Sequence, residues 1–380
     1  MRRVGWAVCA LLALCFIGAG AVVLALPGAR APSDSPADDS DAERAALVAA
    51  LRPPKRARPL VAVIANNSGT ETTDFIVPYG VLRASGAADV FAVALRDEAV
   101  TMMPALRIRP QLDVAEFDAA HPEGADFVIV PAMHQSDDPA LVAWLAAQAR
   151  SGATIAGICD GAWVLGAAGL LEGRTATSHW FSVSRLSKAF PTMTWVEDRR
   201  FVVDRSVATT TGVSASIPFS LTLVEAIAGR ARAEELARDY GVTSFGASHT
   251  SRAFDLDRAA LWTATRNTLA FWSHERLDVP VTPGVDEVAL ALTADAYART
   301  YSSSVRSVSL APEVVSRNGL TILPDAAANA SGANAIALPA DGTSAIDAAL
   351  AGISARYGPA TADFVALQLE YGPPVHEVRP

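Results

Sequence analysis

The chain has 380 residues, 51% of them hydrophobic, with 31 Lys and Arg against 40 Asp and Glu for a formal net charge of −9. This length favours two domains or one large domain with an extension. The acidic balance, without a basic stripe interleaved with aromatics, argues against nucleic-acid binding. Two of the three cysteines lie in an N-terminal apolar stretch, which leaves no disulfide framework for the rest. The six histidines are scattered without metal-ligand spacing. We therefore expect neither a metal nor another cofactor.

The N-terminus begins with Met1-Arg2-Arg3, followed by an almost uninterrupted apolar run over residues 4–26. This run is long enough to span a bilayer, and the positive-inside rule puts the arginine pair in the cytoplasm. We expect residues 1–28 to be a single-pass cell-membrane anchor, with the rest on the extracytoplasmic (periplasmic) side. A cleaved signal peptide, giving a secreted or periplasmic protein, is the alternative. The composition of residues 29–58 predicts a tether interrupted by a short helix near 41–51.

Residues 59–240 alternate apolar strand patterns with helical patterns. This alternation predicts an α/β fold, a flavodoxin-like open parallel sheet with helices on both faces and a site at the carboxyl ends of its strands. Residues 241–284 are expected to form a helical connector. Its large apolar side chains predict a core face, which covers the first domain or forms a dimer contact: Phe245, Phe254, Leu261, Trp262, Leu269, Phe271 and Trp272.

Residues 285–380 are expected to form a C-terminal α/β extension. Within it, residues 332–340 resemble residues 124–132, and each segment follows an apolar strand that ends in proline (108–110 and 322–324) at similar spacing. The extension is either a degenerate half-repeat without the site residues of the first domain, or the likeness is a coincidence of an Ala- and Val-rich sequence.

The segment Gly157-Ile158-Cys159-Asp160-Gly161 lies between a buried strand pattern and a helix pattern of small residues. Its G-x-C-x-G spacing is that of a nucleophile elbow, in which the glycines allow a sharp turn. The turn places Cys159 at a helix N-terminus, which favours the thiolate. The backbone N–H groups of Asp160 and Gly161 are expected to stabilise an oxyanion. A buried structural cysteine is the alternative.

A reactive thiol needs a proton-transfer partner and a group that tunes it. His179 ends the next predicted strand after Cys159, and neighbouring parallel strands end at the same sheet edge. Asp74 is the candidate carboxylate and lies on the first βα loop, which is at the same sheet edge. A helix N-cap is its alternative role. His134 is expected to face a pocket near the thiol, and a solvent-facing position is its alternative. The expected lining of a narrow pocket is Tyr79, His134, Trp163 and Trp180.

Three segments, residues 74–82, 153–162 and 168–180, resemble the ThiJ/PfpI family of the class I glutamine amidotransferase-like superfamily. The likeness is greatest to the sensor half of AraC-type regulators and to isonitrile hydratases. The resemblance implies that Cys159 is the reactive residue. It also implies that Asp74 hydrogen-bonds the thiol and lowers its pKa.

The same resemblance assigns His179 to the histidine after the next strand and implies association through helices, hence a homodimer. The chain departs from the family at two places. Pro131-Ala132 stands where the family has Gly-Gly, and no helix-turn-helix pattern follows Tyr240.

Two functions fit this pattern. In the first, Cys159 attacks an amide, isonitrile or carbonyl carbon of a small molecule, as a cysteine-dependent hydrolase or hydratase does, while His179 transfers protons and Asp74 holds the thiolate. In the second, the domain is a non-catalytic ligand-binding or redox-sensing module with transcription-regulator ancestry.

Overall fold

The computed structural model describes residues 39–67, 69–328 and 334–372. The expected membrane anchor, residues 1–28, and the first part of the expected tether lie outside these ranges. Within them, no helix combines the length and hydropathy needed to cross a bilayer.

Helices and strands alternate along most of the described chain. The α-helices are α1 Asp41–Ala50, α2 Thr72–Ser85, α3 Val114–Ala120, α4 Pro139–Arg150, α5 Gly161–Ala167, α6 Trp180–Ala189, α7 Ser216–Ala228, α8 Arg230–Asp239, α9 Arg258–Leu269, α10 Glu287–Ala298, α11 Ala345–Tyr357 and α12 Pro359–Leu369. The strands are β1 Leu60–Ala65, β2 Thr70–Glu71, β3 Asp89–Ala94, β4 Val100–Met103, β5 Arg107–Arg109, β6 Leu112–Asp113, β7 Phe127–Val130, β8 Thr154–Gly157, β9 Thr175–Ala176, β10 Thr194–Trp195, β11 Phe201–Asp204, β12 Val207–Thr210, β13 Glu275–Pro280, β14 Ser303–Ser309, β15 Val314–Val315, β16 Thr321–Ile322 and β17 Ala326–Ala327.

The central sheet has seven strands in the order β11-β12-β8-β7-β1-β3-β6. All neighbours are parallel except the edge pair β11 and β12. Every residue of β1, β7, β8 and β12 is buried, as expected when helices cover both faces of a parallel sheet. The predicted α/β fold is confirmed. The strand β11 at residues 201–204 forms an antiparallel hairpin with β12.

From Asp39 onward the expected tether is folded onto the domain, and the short helix expected near residues 41–51 is present as α1. The Asp39 carboxylate accepts hydrogen bonds from the Ala247 N–H at 2.5 Å and the Ser248 hydroxyl at 2.7 Å. Helix α1, capped by Ser40, forms an ion pair with α7 through Arg44 and Glu225. The polar composition of this segment predicted a solvated tether. Composition does not show that its Asp, Ser and Arg side chains serve as caps and ion pairs.

Four of the connector's seven large apolar side chains do not cover the first domain, and the alternative that they form a dimer contact stays a prediction. Leu269, Phe271 and Trp272 are 63%, 72% and 77% exposed, and Trp262 is 66% exposed. Helix α9 instead turns its smaller side chains inward, where the Asn267 amide donates to the Thr300 carbonyl oxygen at 2.8 Å. By contrast, Phe245 and Phe254 are buried.

The C-terminal part repeats the topology of the first βα units. In the first copy, which begins at Leu60, β1 lies between β7 and β3, and β3 pairs with β6. In the second copy, which begins at Glu275, β13 is bridged at Ala335 and pairs with β14, and β14 pairs with β17. All these pairings are parallel. The repeated unit thus starts at β13, within the expected connector, and not at residue 285.

The two copies contact each other through equivalent elements. Helix α2 packs against its counterpart α10. In the first copy Val100 pairs with Ile108, in the second Val314 pairs with Ile322, and Ile108 and Ile322 pair with each other in antiparallel register. Equivalent residues meet only near a two-fold axis, so the copies are arranged as a pseudo-symmetric pair within one chain.

Candidate active site

Cys159 lies in the sharp turn between β8 and α5. Its φ is 54°, a left-handed conformation that is rare for a residue with a Cβ atom and costs about 1–3 kcal/mol. The Cys159 N–H donates to Thr210 Oγ1 at 3.0 Å and fixes the turn. A Cβ atom at Gly161 would lie 2.0 Å from the Val130 carbonyl oxygen, so only glycine fits there. The turn has the geometry of the predicted nucleophile elbow.

Asp74 is fully buried in the first turn of α2. Its Oδ2 atom accepts the Ala132 N–H at 3.2 Å, while Oδ1 has no hydrogen-bond partner among the described residues. The helix is capped by Glu71, whose side chain accepts the Asp74 N–H at 2.6 Å. The N-cap alternative for Asp74 is therefore wrong, and its side chain is available for another role.

Burial raises the pKa of both groups. Cys159 is 7% exposed. Burial, followed by the charges of Asp74, Asp160 and Glu71, raises the pKa of its thiol well above its usual range. Burial, followed by the Glu71 charge, likewise raises the pKa of Asp74 well above the ordinary 3.8. The predicted lowering of the thiol pKa is therefore wrong, because desolvation and three acidic neighbours outweigh the Asp160 N–H.

The loop at Pro131-Ala132 keeps backbone contacts at the site without the expected Gly-Gly. The Ala132 N–H donates to Asp74, and the Ala132 carbonyl oxygen accepts the Glu71 N–H at 2.8 Å. The loop therefore holds the first turn of α2 through two hydrogen bonds of the Ala132 backbone. It orients Asp74 and does not offer that N–H to a substrate.

The two expected oxyanion donors differ. The Gly161 N–H donates to the Ile158 carbonyl oxygen at 2.8 Å, so its assignment as an oxyanion donor is wrong and its role is steric. The Asp160 N–H faces the Cys159 sulfur and lowers the thiol pKa. Its role toward a substrate oxyanion stays a prediction.

His179 does not hold the expected position beside the thiol. Its Nδ1 atom accepts the Phe181 N–H at 3.3 Å as the N-cap of α6. The Nε2 atom lies 3.0 Å from the Gln368 carbonyl oxygen, and because a carbonyl only accepts, Nε2 carries the proton. Both ring nitrogens are thus occupied, so the predicted Cys159–His179 proton transfer is not supported by this arrangement. The His179 ring is therefore held by Gln368, a residue of the expected C-terminal extension.

The expected pocket residues lie in different places. Tyr79 is fully buried against the second copy. Trp163 packs edge-on against Phe190, with the ring centroids 5.9 Å apart. His134 is exposed, the alternative position considered for it. Of the four, Trp180 is the one that borders a cavity near the elbow.

That cavity has a volume of about 190 Å³. It is adjacent to the elbow because Ser178, one of its lining residues, donates to the Cys159 carbonyl oxygen at 3.2 Å. Its walls are formed by Thr177, Ser178, Trp180, Val183, Trp195, Glu197, Thr211, Ser251, Arg252, Phe254, Asp255 and Glu370. Cys159 and Asp74 do not line it.

The sequence reasoning missed Glu71 and Arg299. Glu71 Oε2 accepts from Asp74, as described, and its Oε1 atom accepts from Arg299 Nη2 at 2.8 Å. Arg299 Nε also donates to Asp295 Oδ2 at 2.7 Å. An acid three residues before Asp74 at a helix start is a recognisable N-cap signal. Arg299 lies 228 residues from Glu71, and no local signal indicates the contact.

The described residues contain no group of three or more His, Cys, Asp or Glu side chains that could hold a metal ion. The polar groups at the elbow are the Cys159 sulfur, one unpartnered carboxyl oxygen and backbone N–H groups. This set can attack an electrophilic carbon and transfer one proton.

Comparisons with known proteins identify relatives of the α/β domain that carries the elbow. A sequence profile described as the DJ-1/PfpI family matches residues 60–226. Isonitrile hydratase of Pseudomonas putida is 32% identical over 161 residues, which cover 41% of this chain and 67% of that protein. Protein dj-1beta of Drosophila melanogaster is 27% identical over 175 residues, 45% of this chain and 90% of that protein.

The HTH-type transcriptional regulator CdhR of Pseudomonas aeruginosa is 36% identical over 102 residues, 27% of this chain and 30% of the regulator. The match to the regulator GbdR covers 25% of that protein, so the chain spans about a third or less of these relatives. The crystal structure of Drosophila melanogaster DJ-1beta gives a TM-score of 0.44 at 25% identity and covers 49% of this chain and 100% of that chain. With the profile match and the likeness to isonitrile hydratase over two thirds of its length, the chain belongs to the DJ-1/PfpI family.

Proposed function

We propose that the protein is a cysteine-dependent hydrolase or hydratase that acts on a small C–N or carbonyl substrate through Cys159 and Asp74. The observation that carries this proposal is the fully buried Asp74, whose Oδ1 atom has no partner in the described part of the chain, near a thiol held in a strained elbow. Strain and unpaired buried polar atoms persist where the surrounding structure enforces them, and they concentrate at functional sites.

The raised pKa values explain how the pair works. Two neighbouring acids in a buried site do not both ionise readily, so the ionised form of the Cys159–Asp74 pair carries one proton and one negative charge. When Asp74 holds that proton, the sulfur is a thiolate next to a neutral carboxyl group. The reactive form therefore carries a single negative charge, on the nucleophile.

A balanced sequence follows from this form. The thiolate of Cys159 bonds the electrophilic carbon, and Asp74 transfers its proton to the substrate atom that gains the electron pair. Water then adds to that carbon and the C–S bond breaks, which returns the thiolate and one proton to Asp74. An isonitrile gains one water by this route. With an amide, Asp74 gives its proton to the nitrogen, the C–N bond breaks to release the amine, and water then hydrolyses the acyl thioester to the acid. The relative named isonitrile hydratase supports the first of these substrate classes.

The test is turnover of isonitrile, amide and glyoxal panels by the wild-type protein and by Cys159→Ser and Cys159→Ala. We expect turnover of one class by the wild type and its loss in both variants. Thr210→Ser is the matched control, because it keeps the hydroxyl that accepts the Cys159 N–H. Turnover that survives in Cys159→Ala would refute the proposal.

The second candidate is a ligand-binding or redox-sensing module. It is favoured by a cavity of about 190 Å³ that the thiol does not line. Oxidation of Cys159 to the sulfenic acid by peroxide, detected by dimedone labelling of the Cys159 peptide, would favour this function if no panel compound is turned over.

The location of the protein is part of the proposal. The apolar run over residues 4–26, preceded by two arginines, supports a single-pass membrane anchor with the α/β domain on the extracytoplasmic side. Membrane fractionation with a carbonate wash, followed by protease treatment of intact spheroplasts, tests it. A protein that is released by the wash, or that resists the protease until the cells are lysed, contradicts it.

A further inference from the structure

The two copies carry complementary halves of one site. The strand and the helix of the second copy are shifted by the same 215 positions, from Leu60 to Glu275 and from Thr72 to Glu287. By this shift Asp74 corresponds to Ala289. The second copy therefore lacks the acid that tunes the thiol.

At the other end of the same helix, the second copy has a charged residue that the first copy lacks. The same shift places Arg299 of the second copy at the position of Ala84 in the first. In a symmetric homodimer every chain must carry both residues. In a fused pair each residue can remain in one copy only. The acid remains in the copy that has the elbow, and the arginine remains in the copy that lacks it.

Arg299 reaches the site across the interface between α2 and α10. It donates to Glu71 Oε1 at 2.8 Å, and its Nε donates to both oxygens of Asp295 at 2.9 and 2.7 Å. Glu71 in turn accepts the Asp74 N–H and so holds the first turn of α2. A continuous chain of hydrogen bonds thus connects the second copy to the backbone of Asp74.

The charges around the thiol give this contact a chemical consequence. Asp74, Asp160 and Glu71 raise the pKa of the Cys159 thiol, and Arg299 is the cation that interacts with this group. The Asp295 side chain is fully buried, so without Arg299 two buried carboxylates, Glu71 and Asp295, would share one site. At most one of them would stay ionised at neutral pH.

We propose that Arg299 is a positioning residue for the Cys159–Asp74 site, supplied within the same chain by a second copy that occupies the place of a partner subunit. Its hydrogen bond holds Glu71 against the first turn of α2, and its positive charge offsets part of the negative charge around the thiol. The inference uses the reactive thiol of the proposed function but does not depend on a particular substrate.

The test is the pH profile of Cys159 alkylation by iodoacetamide in the full chain, followed by mass spectrometry of the Cys159 peptide. Loss of the cation in Arg299→Gln should move the midpoint upward by about one pH unit and slow labelling near neutral pH about tenfold. Arg299→Lys should restore most of the labelling rate because it keeps the charge. Arg306→Gln is the matched control, since Arg306 forms a comparable ion pair with Asp278 away from the site.

A profile of Arg299→Gln that coincides with the wild type overturns the inference, whatever the turnover. A shifted profile without turnover of any compound refutes the proposed function and leaves this inference in place. If thermal melting shows that Arg299→Gln does not fold, Asp295→Asn provides the second measurement. That variant removes the competing carboxylate and should move the midpoint downward, and an unchanged midpoint there also overturns the inference.

Discussion

The first and second copies share a topology but differ in how their strands are covered. All six residues of β1 are buried, whereas β13 alternates between exposed or half-buried and buried positions. Continuous burial is typical of a strand covered on both faces, whereas the β13 pattern is typical of a strand with one face towards solvent. The same strand order is therefore compatible with very different sequences, which explains why the second copy is hard to recognise from its residues.

The site is far less tolerant than the fold. Ala289 fits the position of Asp74 without disturbing α10, and the copy that carries it lacks the acid of a reactive-thiol site. The comparison indicates that the second copy is retained for the surface it buries and for Arg299. Exchanging equivalent residues between the copies can break or sharpen this view.

The largest effect is expected from the exchange at the acid. Asp74→Asn removes the proton donor and should lower turnover between about 10²- and 10⁴-fold. Ala289→Asp places a carboxyl group at the equivalent, buried position of α10. It should lower thermal stability but leave the pH profile of Cys159 labelling unchanged. Equal turnover in Asp74→Asn and the wild type would show that the acid does not take part.

A glycine in each copy gives the next comparison. Gly161→Ala forces a Cβ atom to within 2.0 Å of a backbone oxygen, whereas Gly352→Ala meets the hydroxyl of Tyr297 at 2.2 Å. The Tyr297 ring can move, but the Val130 backbone cannot. We expect Gly161→Ala to slow Cys159 labelling about 10²-fold through displacement of the elbow. Gly352→Ala should cost about 1–3 kcal/mol of stability without changing labelling. Labelling that is slowed equally in both variants would contradict this distinction.

The pseudo-two-fold pairing makes a quantitative prediction. Ile108 and Ile322 are fully buried and pair with each other, so Ile108→Ala and Ile322→Ala should each lower the free energy of unfolding by about 2–5 kcal/mol. Because the residues are in contact, the double variant should lose less than the sum of the two. Val315→Ala, at a position 54% exposed, is the control and should be nearly neutral. Strictly additive losses in urea unfolding would argue against the contact.

These comparisons also show what the sequence can predict. The parallel sheet, the elbow at Cys159 and the candidate acid Asp74 are encoded locally, in apolar runs, glycine spacing and the start of a helix. What was missed depends on contacts between distant segments. The Gln368 carbonyl oxygen, 189 residues from His179, occupies its ring, and Arg299 meets Glu71 across 228 residues. The exposed Trp272 was expected to cover the first domain or to form a dimer contact, because hydrophobicity does not say what covers an apolar face.

The smallest effect is expected in the pH dependence of stability, where the two copies should show opposite signs. The pKa of Asp74 is raised by burial, so the folded protein keeps a proton that the unfolded chain releases. The contribution of Asp74 is therefore fully present below about pH 4 and is lost as the pH rises through the raised value. In the second copy the hydrogen bond from Arg306 lowers the pKa of Asp278, whose contribution is present above about pH 4 and is lost in acid.

Melting temperatures measured from pH 4 to 8 test both signs. Asp74→Asn has no proton to release, so its melting temperature should match the wild type near pH 4 and exceed it by a few degrees at pH 8. The melting temperature of Asp278→Asn should lie slightly below that of the wild type at pH 8. The Asp278–Arg306 pair is partly exposed, so its loss should lower the free energy of unfolding by less than about 1 kcal/mol. An Asp74→Asn curve that runs parallel to the wild type over this range would mean that Asp74 is ionised when folded. In that case the proton of the pair resides on Cys159, and the thiolate would form only when the thiol proton is transferred to the substrate.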